Sequence, residues 1–458
     1  MAESKAISYA RQNRERFLEQ LKDLLRIPSI STLPENKDDV RRAAKFVADD
    51  LTRSGMENVE IIETSGHPLV YADWLNAPGK PTVLCYGHYD VQPPDPLEEW
   101  KTPPFEPEIR NDNIYARGAV DDKGQMFMHL KAFESLLKTE GRLPVNVRVL
   151  IEGEEEVGGE SIEAYVKEHP ERLGCDVALV SDTEMFAPET PTLTVGLRGL
   201  CYVEVKAQGP MTDLHSGSYG GASPNPFVAL AQIIAKLKDE SGKILIPGFY
   251  DKVKAPTEAE LKAWESLPFD EEHYRKTEVG STVLTGEPGY SVLYRTWARP
   301  TLDVHGMPGG FTGAGAKTVI PARASAKISM RLVPDQDPNE VLGLFKDYVK
   351  SIAPEGIHLE VEAVHGAEPV VVNTDNPFVK VSADAMREIW GKETVYIRTG
   401  GSIPIVAAFE KSLKVPSLLM GFGLPDDGIH GPNEKFHIPN FYRGIDSLIL
   451  FFERLAES

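Results

Sequence analysis

The strongest constraint on this chain is a series of short, continuously apolar runs that each stop at glycine or at a cluster of polar residues. Thr82 to Tyr86 is framed by Pro81 and Gly87; Val145, Val147, Val149 and Ile151 alternate in another run; Asp176 to Val180 and Pro416 to Met420 follow. Runs of this length and apolarity read as buried strands. Stretches of helical period separate them. Phe17, Leu18, Leu21, Leu24 and Leu25 share one face before Pro28, and further helices are expected at about Val40 to Leu51, Gln125 to Leu137, Asn376 to Trp390 and Tyr442 to Leu455. With a strand at Val70 to Leu75, the alternation predicts an α/β fold with a mostly parallel sheet and helices on both faces.

The pattern changes near Pro191. Thr192 to Ala207 is strand-like with a break at Gly199, and Pro226 to Leu237 is helical. A Pro- and Glu-rich stretch from Pro247 to Gly289 reads as irregular. Ser325 to Val333 (strand), Asn339 to Ile352 (helix) and His358 to Ala363 (strand) complete what looks like a separate α+β domain. The β/α character returns after Pro369, with a strand at Thr394 to Ile397. The expected organisation is one α/β domain, residues 1–193 and 369–458, interrupted by an inserted α+β domain at 194–368. A chain of 458 residues exceeds one ordinary core, which agrees with that division.

A net charge of −20 removes the basic face that a nucleic-acid binder needs, so no nucleic-acid partner is expected. It suits cation binding if carboxylates converge. Cys85, Cys175 and Cys201 are too few, and odd in number, for a disulfide framework. The opening MAESKAISYARQNRERF has no signal-peptide core, and no stretch approaches a membrane span. A cytoplasmic protein without a membrane partner is the expectation.

In open α/β sheets, ligands bind beyond the carboxyl ends of the strands, and polar residues gather there. VLCYGHYDVQP sets His88 and Asp90 just after a buried strand; in extended chain the two point the same way, so the carboxylate can fix the imidazole tautomer. Alone, this pair fits a capped turn with a surface His. Asp121 and Asp122 precede a helix and alone fit an N-cap. In VNVRVLIEGEEEVGGE, a run of glutamates framed by Gly153 and Gly158–Gly159 ends a strand; such crowding is unfavourable unless a cation or proton compensates. Asp182 follows another apolar strand, and His430 sits in the late loop GIHGPNEKFHIP. Together these offer imidazole and oxygen donors suited to Zn²⁺, Mn²⁺ or Co²⁺. A carboxylate can bridge two ions about 3.5–4 Å apart, which activate a shared water and polarise a carbonyl. A free carboxylate beside them carries the proton to a leaving amine, and the outcome is amide hydrolysis.

These segments, GHYDVQP, RGAVDDKGQ, EGEEEVGG and LVSDTE, are followed by DLHSG, GAKTVIPARASAKISMRLVPDQDP, RTGGSIPI and IHGPNEK. In that order they resemble the two-zinc aminoacylase/carboxypeptidase G metallopeptidases, closest to the carnosinase and cytosolic non-specific dipeptidase branch. The resemblance covers nearly the whole chain. It implies that His88 and Asp182 bind one ion, Glu156 and His430 the other, and that Asp121 bridges them through a residue whose bond to Asp122 is cis. It implies that Asp90 orients His88 and that Glu155 is the general acid/base, the Gly153 and Gly158 frame setting the register. In the inserted lid and dimerisation domain, His215 would stabilise the oxyanion across a homodimer, with Thr318 a second residue of that contact. Arg331 would clamp the substrate carboxylate, and Gly400, Gly401 and Ser402 would line the pocket beside it.

The sequence departs from the branch at Glu154, where an apolar residue is common, and at Gly159, where a Ser is common. The expected substrate is a short peptide with a free C-terminal carboxylate. An N-acyl amino acid is the alternative, and a non-catalytic scaffold would have lost a ligand or the base. His67, His129, His169, His273, His358 and His365 match no ligand position, His437 reads as structural, and His305 suits a place near substrate or a packed loop equally.

Overall fold

The computed structural model describes residues 4–457. The strands that frame its two principal sheets are, in chain order, β1 (Glu57–Ile62), β2 (Leu69–Trp74), β3 (Thr82–His88), β4 (Asn146–Glu152), β5 (Val177–Val180), β6 (Thr192–Leu197), β7 (Gly199–Gln208), β8 (Thr301–Gly306), β9 (Arg323–Leu332), β10 (His358–Ala367) and β11 (Ser417–Leu419); Val370–Val371 and Val395–Thr399 add two short strands beside β6. The larger sheet runs β1-β2-β4-β3-β5-β11-β6. It is parallel through its centre, where β3 pairs with β4 and β5, and β5 with β11. Its flanks are antiparallel, β1 with β2, β2 with β4, and β11 with β6. The parallel centre is the part whose strands read as unbroken apolar runs, because both faces are covered there. β1 lacks such a run, since its side chains are exposed or half-buried at the sheet edge, and its sequence gave no strand signal.

The chain divides into two compact units, Met1–Val195 with Val372–Ile397 and Pro404–Ser458, and Gly196–Val371 with Arg398–Ile403. In the first, every residue of the helix Lys123–Glu140 from Lys123 to Leu136 is buried. That helix packs against Ile438–Glu457 and Lys37–Ser54. Burying it brings two lysines inside: Lys123 donates to the carbonyl of Ile27 at 2.7 Å, while Lys131 Nζ is paired, 2.9 Å from Asp50 and 2.8 Å from Glu134. Breaking such a buried pair typically costs about 3–5 kcal/mol.

The second unit is an antiparallel sheet, β8-β9-β7-β10, whose inward Val203, Val205, Ile328 and Met330 pack with Phe345 and Val349 of the helix Pro338–Ser351. The stretch from Pro247 to Gly289 is not wholly irregular as expected. It contains the helix Glu258–Glu265, opened by a capping box in which the Thr257 hydroxyl accepts from Glu260 N at 3.2 Å and Glu260 accepts from Thr257 N at 2.8 Å. The T-x-x-E signature was present in the sequence but was masked by the surrounding prolines and acids. Helix bounds elsewhere shift by a few residues, because caps rather than apolar period end them; Asn376, for example, is the cap of Pro377–Trp390. Among the described residues no helix is long and apolar enough to cross a membrane.

Candidate metal centre

β3 delivers His88, fully buried, at the carboxyl edge of the parallel sheet centre. Gly87 precedes it because a Cβ there would meet Met126 at 2.6 Å and the Asp122 carboxylate at 2.9 Å. His88 Nε2 lies 3.1 Å from Asp121 Oδ1 and 3.9 Å from Asp182 Oδ2. Its Nδ1 faces Asp90, at 3.2 Å from the carbonyl and 3.3 Å from the carboxylate. The Asp90 carboxylate also accepts from the backbone N–H groups of Glu155 at 3.3 Å and Glu156 at 3.1 Å. One buried aspartate therefore sets the His88 ring and the start of the turn that carries both glutamates.

Asp121 is the shared group. Its Oδ1 faces His88 and its Oδ2 lies 3.0 Å from His430 Nε2, which is 3.2 Å from Glu156 Oε2. The ligand atoms of His88, Asp121 and Asp182 lie within 4.8 Å of one another, and so do those of Asp121, Glu156 and His430. The Asp121–Asp122 peptide bond is cis. Asp122 does not cap the helix it precedes; its carboxylate accepts instead from His88 N at 3.2 Å.

Residues outside the expected set hold this arrangement. Gln92 donates to Glu156 Oε2 at 2.7 Å. Glu434, fully buried, accepts from Arg117 at 2.8 Å, Gly118 N at 2.9 Å, Val120 N at 3.0 Å and Asp121 N at 3.2 Å. Arg117 donates onward to the His430 carbonyl at 3.1 Å. That contact fixes a loop in which His430 has a φ of 61°, a region that non-glycine residues seldom occupy. Gln92 and Glu434 both lie inside the motifs GHYDVQP and IHGPNEK, which is the signal that could have found them.

The electrostatics are those of a site built for cations. Burial, then the charge of Asp121, pushes the Asp182 carboxyl up to about 7. Burial also raises Glu155 well above the ordinary carboxylate range, and it raises Glu156 with Asp121 adding to the effect. Hydrogen bonds to Asp121 and Glu156 push His430 up to about 10. Without cations, the cluster relieves its crowding by binding protons. Two adjoining donor sets of imidazole and carboxylate oxygen that share one aspartate fit a pair of divalent ions. Glu155 belongs to neither set and borders a small recess with Tyr86, Glu152 and Ile405.

The remaining expected residues lie in the second unit. His215 and Thr318 are exposed and adjacent: His215 pairs with Val319 across a short ribbon, and Ser216 N donates to the Thr318 carbonyl at 3.1 Å. Arg331 donates to Ser402 Oγ at 3.0 Å, and Gly400 and Gly401 share that loop. His129, fully enclosed, bonds Ser181 Oγ at 2.8 Å through Nε2, and burial holds it down to about 3; it is a core histidine outside both ligand groups. His437 bonds Asn440 at 3.1 Å, and His305 bonds Ser329 at 2.7 Å.

Residues 84–454 match the model of peptidase family M20/M25/M40. The chain is 35% identical to the Cys-Gly metallodipeptidase DUG1 of Candida albicans, with 94% of this chain and 93% of that protein covered. It is 30% identical to the human Beta-Ala-His dipeptidase, covering 99% and 92%. Its fold matches the solved structure of the di-peptidase Dug1p of Saccharomyces cerevisiae with a TM-score of 0.88 at 31% identity, covering 99% and 98% of the two chains.

Proposed function

Because this chain belongs to peptidase family M20/M25/M40, we propose that it is a metallo-dipeptidase, hydrolysing the peptide bond of dipeptides or short peptides that end in a free carboxylate. The observation that carries the reading is the pair of ligand groups meeting at Asp121, with Glu155 beside them and uncommitted to either. His88 and Asp182 would hold one ion, Glu156 and His430 the other, and Asp121 both. When bound, two such ions acidify water and polarise the scissile carbonyl.

The chain's own groups do the rest. Asp90 keeps the His88 ring in the tautomer that leaves Nε2 free as a donor atom, and holds Glu156 in place through its amide. Glu155, whose affinity for protons is raised by burial, takes a proton from the attacking water and passes it to the departing amine. Arg331 and Ser402, with the backbone of Gly400 and Gly401, receive the substrate's carboxylate by charge-assisted hydrogen bonds. His215, with Thr318, donates to the oxygen on which negative charge develops, from the second subunit of a homodimer in which the inserted unit is both lid and contact surface. Exposed Met211, Tyr219 and Phe311 in that unit support its role as a contact surface. Zn²⁺ is the ion best matched by the mixed nitrogen and oxygen donors, with Mn²⁺ or Co²⁺ accepted by the same set. The unpaired thiols of Cys85, Cys175 and Cys201 support a cytoplasmic setting.

The acyl-amino-acid alternative finds no support in the names of the relatives above. A panel of Cys-Gly, β-Ala-His and Ala- or Gly-containing dipeptides, run beside acetyl- and succinyl-amino acids, tests the reading. It should be joined to metal analysis of protein purified without added ions. Turnover confined to dipeptides and about two divalent ions per chain are expected; faster release of acetate or succinate would reject it.

A further inference from the structure

Arg198, which sequence reasoning passed over, stands at the one-residue break between β6 and β7. Its backbone carbonyl accepts a short hydrogen bond from Ser402 Oγ, the same hydroxyl that receives Arg331. Its guanidinium reaches the carbonyls of Gly400 and Arg299, each at 3.4 Å, at the long end of hydrogen bonding. A Cβ on Gly400 would fall 2.5 Å from Arg198 Nη2, so a side chain there would displace the guanidinium that lies against the RTGGS loop.

Arg198 and Arg331 are two half-buried cations side by side, and neither forms an ion pair with a carboxylate among the described residues. Burial, then the charge of Arg331, brings Arg198 down to about 10, and burial lowers Arg331. The acidic group both feel is Asp303, which already lies 3.8 Å from Lys238. Elsewhere in the same unit, comparable arginines are neutralised: Arg398 pairs with Glu260, and Arg299 pairs with Glu287 at 2.5 Å. A half-buried pair of like charges left without a counter-ion is unfavourable unless a ligand supplies one.

We propose that Arg198 is a second specificity-determining arginine: with Arg331 and Ser402 it forms a doubly cationic cradle that selects substrates ending in a free carboxylate. The inference rests on the dipeptidase reading. Arg198 is a positioning residue, acting through its carbonyl on Ser402, through its guanidinium on Gly400, and through its charge on the field at Arg331.

The test is steady-state kinetics of the metal-loaded wild type, Arg198→Met and Arg198→Lys on a dipeptide and on the same dipeptide as its C-terminal amide. Arg198→Met should raise KM for the acid about tenfold, the loss of roughly 1.4 kcal/mol of binding, with kcat little changed and amide cleavage unaltered; Arg198→Lys should recover part of the loss. Equal losses on acid and amide would make Arg198 merely structural, and an unchanged KM for the acid would also overturn the proposal. Calorimetric binding of both ligands to metal-loaded Glu155→Gln, with and without Arg198→Met, is independent of turnover. A preference for the acid that is undiminished by removal of Arg198 sinks this inference alone. A wild type that cleaves no dipeptide sinks the dipeptidase reading, and the binding arm still decides the cradle. No preference for the acid in either arm sinks both.

Discussion

Glu434 grips Asp121 from behind: one of its carboxylate oxygens accepts the Asp121 amide at 3.2 Å while the other pairs with Arg117 at 2.8 Å, both groups enclosed. The group that joins the two candidate ion positions is thus anchored by a residue 313 positions later, through a loop that also holds His430. Glu434→Gln keeps an acceptor but drops the charge, and we expect metal affinity to fall about 10- to 100-fold. Competition with a chelating indicator reads this directly. Glu434→Ala, which strands Arg117, should in addition lower stability by about 3–5 kcal/mol in denaturant unfolding. Wild-type affinity in the Gln variant would show that Asp121 needs no such support.

Glu155→Gln removes the proton carrier without touching either ligand group. Metal content should match the wild type, and kcat should fall by about 10² to 10⁴. A variant that keeps its metal and its turnover would assign the base elsewhere.

Asp90→Ala should act on metal and chemistry together. It frees the His88 ring and releases the amides of Glu155 and Glu156, so both weaker metal binding and a lower kcat at saturating metal are expected. A loss cured entirely by excess metal would confine Asp90 to orienting His88.

The pH response follows from the direction of the shifts. Asp182 rises to about 7, Glu155 and Glu156 rise, and His430 rises to about 10, while Asp121 alone is lowered, held down by its histidine partners against the effect of burial. A group whose pKa is raised on folding stabilises the fold fully below its unfolded value, near 4 for a carboxyl, and loses that contribution as pH climbs through the folded value. The metal-free chain should therefore lose stability as pH rises from about 5 to 8. The metal-loaded chain should lose less, because ions replace the protons. Differential scanning fluorimetry of both forms tests this, and calorimetry in buffers of different ionisation enthalpy should show proton release on metal binding. Parallel pH profiles for the two forms would contradict it.

His215→Ala should retain metal and slow turnover by about 10²- to 10³-fold, the scale of one lost oxyanion donor. Mixed with Asp121→Ala under subunit exchange, it should regain part of the activity if the imidazole serves the neighbouring subunit's site. No recovery in verified mixed dimers would return His215 to its own chain.

Much of this was legible because the chemistry sits where the sheet's apolar runs end. His88 closes a buried central strand, and Asp182 and the Glu155–Glu156 turn each follow one, so the strand signal and the ligand signal coincide. Arg117 and Glu434 escaped notice for the opposite reason. They pair across 317 residues, and neither has a local period or cap to mark it as buried. β1 was missed because an exposed edge strand has no apolar face to display. Arg198 was missed because a lone arginine between two strands looks the same whether it faces water or a carbonyl.

Strand β11, residues Ser417–Leu419, lies between β5 and β6 in the finished sheet, and His430 follows it in the chain. A ribosome emitting this protein therefore releases β1 to β6 as a sheet with a gap, and the intervening unit can collapse on its own core while that gap stays open. His88, Asp121 and Asp182 emerge early, but the second triad lacks its imidazole until more than nine-tenths of the chain is made. Stalled nascent chains cut short before residue 417 should capture one ion weakly and cleave nothing, so the enzyme stays silent until synthesis is nearly done.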